Sequence, residues 1–161
     1  MASIAGLCLL LAVWAAPPQP RQEADYQAKV TAVTDGDTIE VLRQRTRLKI
    51  RLFGVDAPEK RQPFAERARQ RVADLALGRT VTVIPRGNDR FGRCLAWIVL
   101  PGNSNLNETL VAEGLAWWFR RYAPHQHRLE ELERAARDHG AGLWAEPDPT
   151  PPWLWRRARR K

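Results

Sequence analysis

Between Ala28 and Leu100 the chain runs in short stretches of alternating apolar and polar residues, interrupted once by a helical period. No other feature restricts the fold as much. In residues 47–52, Leu48, Ile50 and Leu52 face one way while Arg47, Lys49 and Arg51 face the other, the two-residue period of a strand with one buried face. Asp35-Gly36 lies between the β-rich run at 28–33 and the alternating Ile39 and Val41, a strong signal for a hairpin turn. Gly54 then breaks the third run ahead of Asp56-Ala57-Pro58-Glu59, a turn that proline fixes.

The helical interruption opens at Pro63, with Phe64, Ala68, Val72 and Leu75 at helical spacing and Gly78 at its end. Residues 80–84 and 93–100 read as two further strands, joined by a polar turn at 86–92. A short helix is expected at 107–113 and an extended piece at 115–119. An amphipathic helix at 126–139 carries Leu129, Leu132 and Ala136 and ends at Gly140. Closely spaced antiparallel strands with one inserted helix suit an α+β chain: a five-stranded OB-fold β-barrel with three packed α-helices.

A length of 161 residues with 44% hydrophobic residues suits one core, placed here at residues 28–146. Residues 1–16 hold an uncharged apolar stretch, 4–16, too short for a comfortable bilayer span. It fits a secretory signal with cleavage after Ala15. No Lys or Arg precedes it, so the alternative is a segment that stays as a membrane anchor. Residues 17–27 read as a linker. A chain processed this way is secreted or periplasmic. Cys8 and Cys94 are the two cysteines; cleavage would leave one thiol, so their count does not fix the compartment.

The net charge is +8, which points to a polyanionic partner. Residues 147–161 form a Pro-rich, Trp/Arg-rich basic tail. Five of the surplus charges sit there, on Arg156, Arg157, Arg159, Arg160 and Lys161, leaving +3 (8 less 5) for the rest. The Pro-rich part is expected to be extended. Trp153 and Trp155 have two readings: binding to nucleic acid or a membrane surface, or folding back onto the body.

Three short segments carry the candidate chemistry. Asp35-Gly36-Asp37-Thr38 sets two carboxylates around a glycine turn, Arg51 leads to Asp56 and Glu59, and Asp89 to Arg93 forms a turn flanked by arginines. Each alone suits an ordinary turn. Together they meet the needs of phosphodiester hydrolysis. Asp37 and Asp56 offer oxygen to a hard cation. Glu59 offers a base for water. Arg51 and Arg93 offer forked donors for phosphate oxygens. No Cys/His zinc spacing and no P-loop competes.

The set Asp-Gly-Asp-Thr at 35–38, Arg-Leu-x-Gly-x-Asp-Ala-Pro-Glu at 51–59 and Phe-Gly-Arg at 91–93 resembles the staphylococcal (micrococcal) nuclease family in order and spacing. Asn-Glu-Thr-Leu-Val-Ala-Glu-Gly-Leu-Ala at 107–116 matches a structural segment of that family. The resemblance implies a calcium-dependent nuclease acting on DNA and RNA, leaving 3′-phosphate ends, and a monomer. It implies that Asp37 and Asp56 bind Ca2+ through carboxylates and Ala57 through its backbone carbonyl. Asp35 would support them from behind, and Glu59 would act as base or water-orienting group. Arg51 and Arg93 would clamp phosphate, and Arg90 and Tyr122 would bind nucleotide. Phe91 and Arg120 stand where the family prototype has aromatic hydroxyl or aromatic groups, and the loop after Glu59 is shorter. Those departures bear on substrate preference.

The competing reading is a non-catalytic nucleic-acid-binding OB-fold module, which has no reason to keep all five acid and arginine positions. A third is a surface-associated basic protein working through its tail. His125 and His127 lack partners for a metal site and read as a solvent-facing helix start. Of Trp117 and Trp118, one is expected in the core and one partly exposed. Cys94 is expected to point into the barrel as a buried thiol.

Overall fold

The computed structural model describes residues 24–159; the expected signal segment at 1–16 and most of the linker lie outside the described residues. The hairpin expected at Asp35-Gly36 joins β1 (Tyr26–Asp35) to β2 (Thr38–Arg43), and β3 (Thr46–Leu52) follows antiparallel to β2. β5 (Thr80–Asn88) and β6 (Cys94–Val99) form the second hairpin. β6 pairs parallel with β3, and β5 pairs antiparallel with β1, closing the barrel in the order β1-β2-β3-β6-β5. Closure leaves the barrel itself without a free edge.

The alternation decides what fills it. Val30, Ile39, Val41, Ile50, Leu52, Val81, Val83 and Ile98 are all buried, while Lys49 and Arg51 project from the other face of β3, as period two requires. α1 (Ala65–Ala76) spans the inserted connection and buries Ala68, Val72 and Ala76, one stripe of small and branched residues. α2 (Leu106–Ala112) starts at an Asn105 cap whose side chain accepts the Glu108 N–H. Its buried Asn107 accepts from the Ile98 N–H and donates to the carbonyls of Phe53 and Ala96. This polar side chain is therefore fully engaged inside the core, as burial demands. α3 (His127–Asp138) buries Leu129, Glu133 and Ala136.

Four expectations need correction. β5 runs on to Asn88, so the polar turn begins later than 86: only Asp89 to Gly92 turn, closed by the Gly92 N–H on the Asp89 carbonyl. The extended piece expected at 115–119 is shorter and lies outside the barrel. It is β7 (Trp117–Trp118), which pairs with a two-residue β4 (Val55–Asp56) in a separate small sheet. Both Trp117 and Trp118 are buried, because that pairing and α3 cover them from both sides. There is also a fourth helix beyond the three expected: α4 (Pro152–Ala158) follows the Pro-rich stretch, with Pro152 at its first position, and brings Trp153 back against Phe119.

Cys94 is half-buried and packs against the core cluster. Among the described residues no helix is long and apolar enough to cross a membrane.

Candidate active site

The barrel brings the β1–β2 turn, the end of β3 and the β4 turn to one place. Thr38 pairs with Arg51 across β2 and β3, and the Leu52 N–H donates to the Asp37 carbonyl at 2.8 Å. Gly36 lets the turn approach closely: a Cβ there would stand 2.7 Å from Ala68 Cβ and 2.8 Å from Ala57 Cβ. Any side chain would push the turn off both α1 and the Asp56-Ala57 segment.

Asp37 is buried and makes three contacts. Its Oδ1 accepts from Thr38 Oγ1 at 3.1 Å. Its Oδ2 accepts from the Ala57 N–H at 2.7 Å and pairs with Arg51 Nη2 at 3.0 Å. Asp56 is also buried, and its Oδ1 accepts from the same Arg51 Nη2 at 2.9 Å. One guanidinium nitrogen thus binds both carboxylates. Arg51 Nη1 donates to the carbonyls of Leu52 and Val55 at 3.1 and 2.8 Å. Arg51 is therefore stitched into the frame that carries the acids.

Asp35 stands behind this pair, its Oδ1 accepting the Asp37 N–H at 3.1 Å. Burial, reinforced by the Asp37 charge, pushes its carboxyl up to about 6. Burial likewise raises Asp56, against the lowering pull of the Arg156 hydrogen bond. Glu59 closes the proline turn, where its backbone N–H donates to Gln62 Oε1 and its carbonyl accepts the Gln62 N–H. Its side chain is about a third exposed and points at the same cluster.

Arg93 pairs with Asp89 rather than with these carboxylates. Its Nε donates to Asp89 Oδ2 at 2.7 Å, its N–H to Asp89 Oδ1 at 3.0 Å, and its guanidinium carbon lies 5.6 Å from the Phe91 ring centre. Burial alone would raise Asp89, but the bonds from Arg93 and Phe91 outweigh it and lower the carboxyl. Arg90 lies over the same Phe91 ring, 4.7 Å from its centre. Tyr122 is exposed, with its ring 4.7 Å from Phe119. His125 and His127 are exposed at the start of α3, as expected.

Sequence reasoning missed one residue at the site. Arg156, on α4, reaches back across 100 positions: Nη2 donates to Asp56 Oδ2 at 2.8 Å, Nη1 to Asp56 Oδ1 at 3.2 Å, and Nη1 also to Glu59 Oε1. The available signal was Pro152 followed by a run without Gly or Pro, a helix start at the end of the Pro-rich stretch.

Among the described residues no three His, Cys, Asp or Glu side chains group as a ready metal cage. What converges is Asp37 and Asp56, with the Ala57 backbone between them and Glu59. All are oxygen donors, and the two aspartates are held 2.9–3.0 Å from one shared cationic nitrogen. Buried carboxylates gathered around positive charge suit a hard divalent cation with open coordination positions.

A closed five-stranded barrel with helices packed on it is an OB-fold, and buried acids meet arginines at one end of β3. The family model described as staphylococcal nuclease homologue matches residues 49–146, and the chain belongs to that family. It is 42% identical over 146 residues to a protein of Shigella flexneri named micrococcal nuclease, covering 85% of this chain and 84% of that one. It is 41% identical over 133 residues to an uncharacterized endonuclease of Escherichia coli O157:H7, covering 83% and 86%. A staphylococcal-like nuclease of Arabidopsis thaliana is 35% identical over 121 residues, 75% of this chain and 36% of the plant protein. The protein is a nuclease, and its substrate is nucleic acid.

Proposed function

We propose that this nuclease is a calcium-dependent phosphodiesterase that cuts both DNA and RNA and leaves 3′-phosphate ends. The observation that carries the reading is the convergence of Asp37 and Asp56 on Arg51 Nη2, with Glu59 on the adjoining turn. Asp37, Asp56 and the Ala57 carbonyl are the groups that would hold Ca2+, with Asp35 bracing the turn from behind. Calcium, when bound, neutralises phosphate charge and favours ionised water. Glu59 orients the attacking water and takes its proton as the water oxygen bonds to phosphorus. The bond from phosphorus to the 5′-oxygen breaks, that oxygen leaves with a proton, and the phosphate stays on the 3′ side.

Arg51 is in place to offset charge building on the phosphoryl oxygens. Arg93 joins it by exchanging Asp89 for a phosphate oxygen. Arg90 and Tyr122, both on the surface, supply contacts to the flanking nucleotide, with Tyr122 offering a face on which a base can stack. The same reading takes the chain to be monomeric and exported, the latter supported by the apolar stretch at 4–16.

The test is degradation of heat-denatured DNA and of RNA in calcium and in chelator, with end-group analysis of the fragments. Glu59→Gln should lower kcat by about a hundredfold or more while leaving the fold intact. Purified protein that retains single-stranded DNA on a filter yet leaves it uncut in millimolar calcium would instead be the binding module.

A further inference from the structure

We propose that α4 is an intramolecular plug, which seats Arg156 between Asp56 and Glu59 and must be displaced before a divalent cation and a phosphate can occupy the site. The proposal rests on the calcium-dependent reading above.

The carboxylate oxygens set the argument. Arg156 Nη2 takes Asp56 Oδ2, while Nη1 takes Oδ1 and also bonds Glu59. Arg51 already holds Oδ1 from the other side. Both oxygens of the buried Asp56 and one of Glu59 are thereby committed to guanidinium groups. The Arg156 guanidinium puts positive charge and bulk between Asp56 and Glu59, where a divalent cation would sit, and it holds the Glu59 oxygen that a base needs, so the seated arginine and the working site exclude one another.

The arm is built to leave. α4 has seven residues, too few to hold a helix without docking. Residues 146–151 carry Pro147, Pro149 and Pro151, which cannot donate to any ladder. The contacts from arm to body are few and separable: Trp153 lies parallel to Phe119 with ring centres 5.6 Å apart, and Gln62 Nε2 donates to the Thr150 carbonyl. The seat is also imperfect. An open groove of about 550 Å³ runs along the strap, lined by Trp117, Trp118, Arg120, Trp144 and Trp153 among others. The Trp155 indole N–H is buried without a hydrogen-bond partner, a cost that the undocked arm does not carry.

Arg157 on the same helix and Arg159 just past its end are exposed to solvent. A polyanionic strand approaching the site meets these first. It offers Arg156 phosphate oxygens in exchange for carboxylates, so substrate and calcium both draw the plug out. This is mutually exclusive binding: calcium sees only the fraction of molecules whose arm is open.

Isothermal titration of the full chain with calcium, without nucleic acid, tests the plug. An arm closed nine-tenths of the time weakens apparent affinity about tenfold, so Arg156→Ala should bind calcium about tenfold more tightly than wild type. Arg157→Ala, which removes the same charge from the exposed neighbour, should bind as wild type does. Hydrogen exchange over residues 150–158 should quicken in wild type when calcium is added. Equal affinities for wild type and Arg156→Ala would overturn the plug alone, as would an equal gain from Arg157→Ala. So would a calcium-saturated protein whose arm stays as protected as before. Titrations silent for every protein at millimolar calcium would overturn the calcium reading and the plug with it.

Discussion

Arg51 and Arg156 bind the same carboxylate and differ in everything else. Arg51 comes from a barrel strand five positions before Asp56; Arg156 comes from a terminal helix 100 positions after it. The side chain of Arg51 is 11% exposed and that of Arg156 33%. Arg51 also binds Asp37 and two backbone carbonyls, so the frame holds it from four directions. Arg156 binds only side chains, Asp56 and Glu59, and hangs on a proline-rich strap. The first is part of the wall, and the second is a guest in the site. An identical ion pair therefore has different consequences according to what anchors its other end.

Substitutions break or sharpen that contrast. The largest effect is expected from Arg51→Ala, which strips one shared partner from two buried carboxylates. Loss of about 3–5 kcal/mol should appear in urea unfolding, with activity lost alongside. A loss no greater than that of Arg156→Ala would erase the distinction between wall and guest. Gly36→Ala attacks the frame without touching a charge. Its Cβ would meet Ala68 and Ala57 at 2.7 and 2.8 Å, so about 1–3 kcal/mol of destabilisation is expected in the same assay, with weakened catalysis as the Asp37 turn shifts.

The pH dependence probes the buried side of the frame. Asp35 is raised from 3.8 to about 6, so between those values the folded chain keeps a proton that the unfolded chain releases. Stability is then greater at the acid end and falls as pH rises from about 4 to about 6. Thermal melts across that window should show the decline, and Asp35→Asn should flatten it; an unchanged slope would remove Asp35 as its source. The smallest stability effect is expected for Arg156→Ala, about 1 kcal/mol or less by urea unfolding, because a third of its side chain is in solvent.

The relation of chain to fold differs between these two regions as well. The alternation in β3 and the Asp35-Gly36 hairpin were legible because strand period and turn chemistry are local. They carry Asp37, Arg51 and, through the proline turn, Asp56 and Glu59 to one end of the barrel. Motif spacing alone grouped Arg93 with this set. The structure brings its strand beside β3, where Ile50 pairs with Cys94, but engages its side chain with Asp89. The burial of both Trp117 and Trp118, where one was expected to be partly exposed, depends on β4, a two-residue strand too short to leave a period.

By itself, then, the sequence determined the barrel, its inserted helix and the acid-and-arginine set that marks the family, since those features follow from neighbours a few residues apart and from turns with few conformations. Only the tertiary structure decided which of the described tail cations, Arg156, Arg157 or Arg159, meets the site. Arg156, Arg157, Arg159, Arg160 and Lys161 are nearly equivalent as charges in a string. The docking angle of a two-turn helix, set by Trp153 against Phe119, points Arg156 at Asp56. That contact spans 100 residues, and no local pattern encodes a pairing made by surfaces that meet only after the barrel has closed.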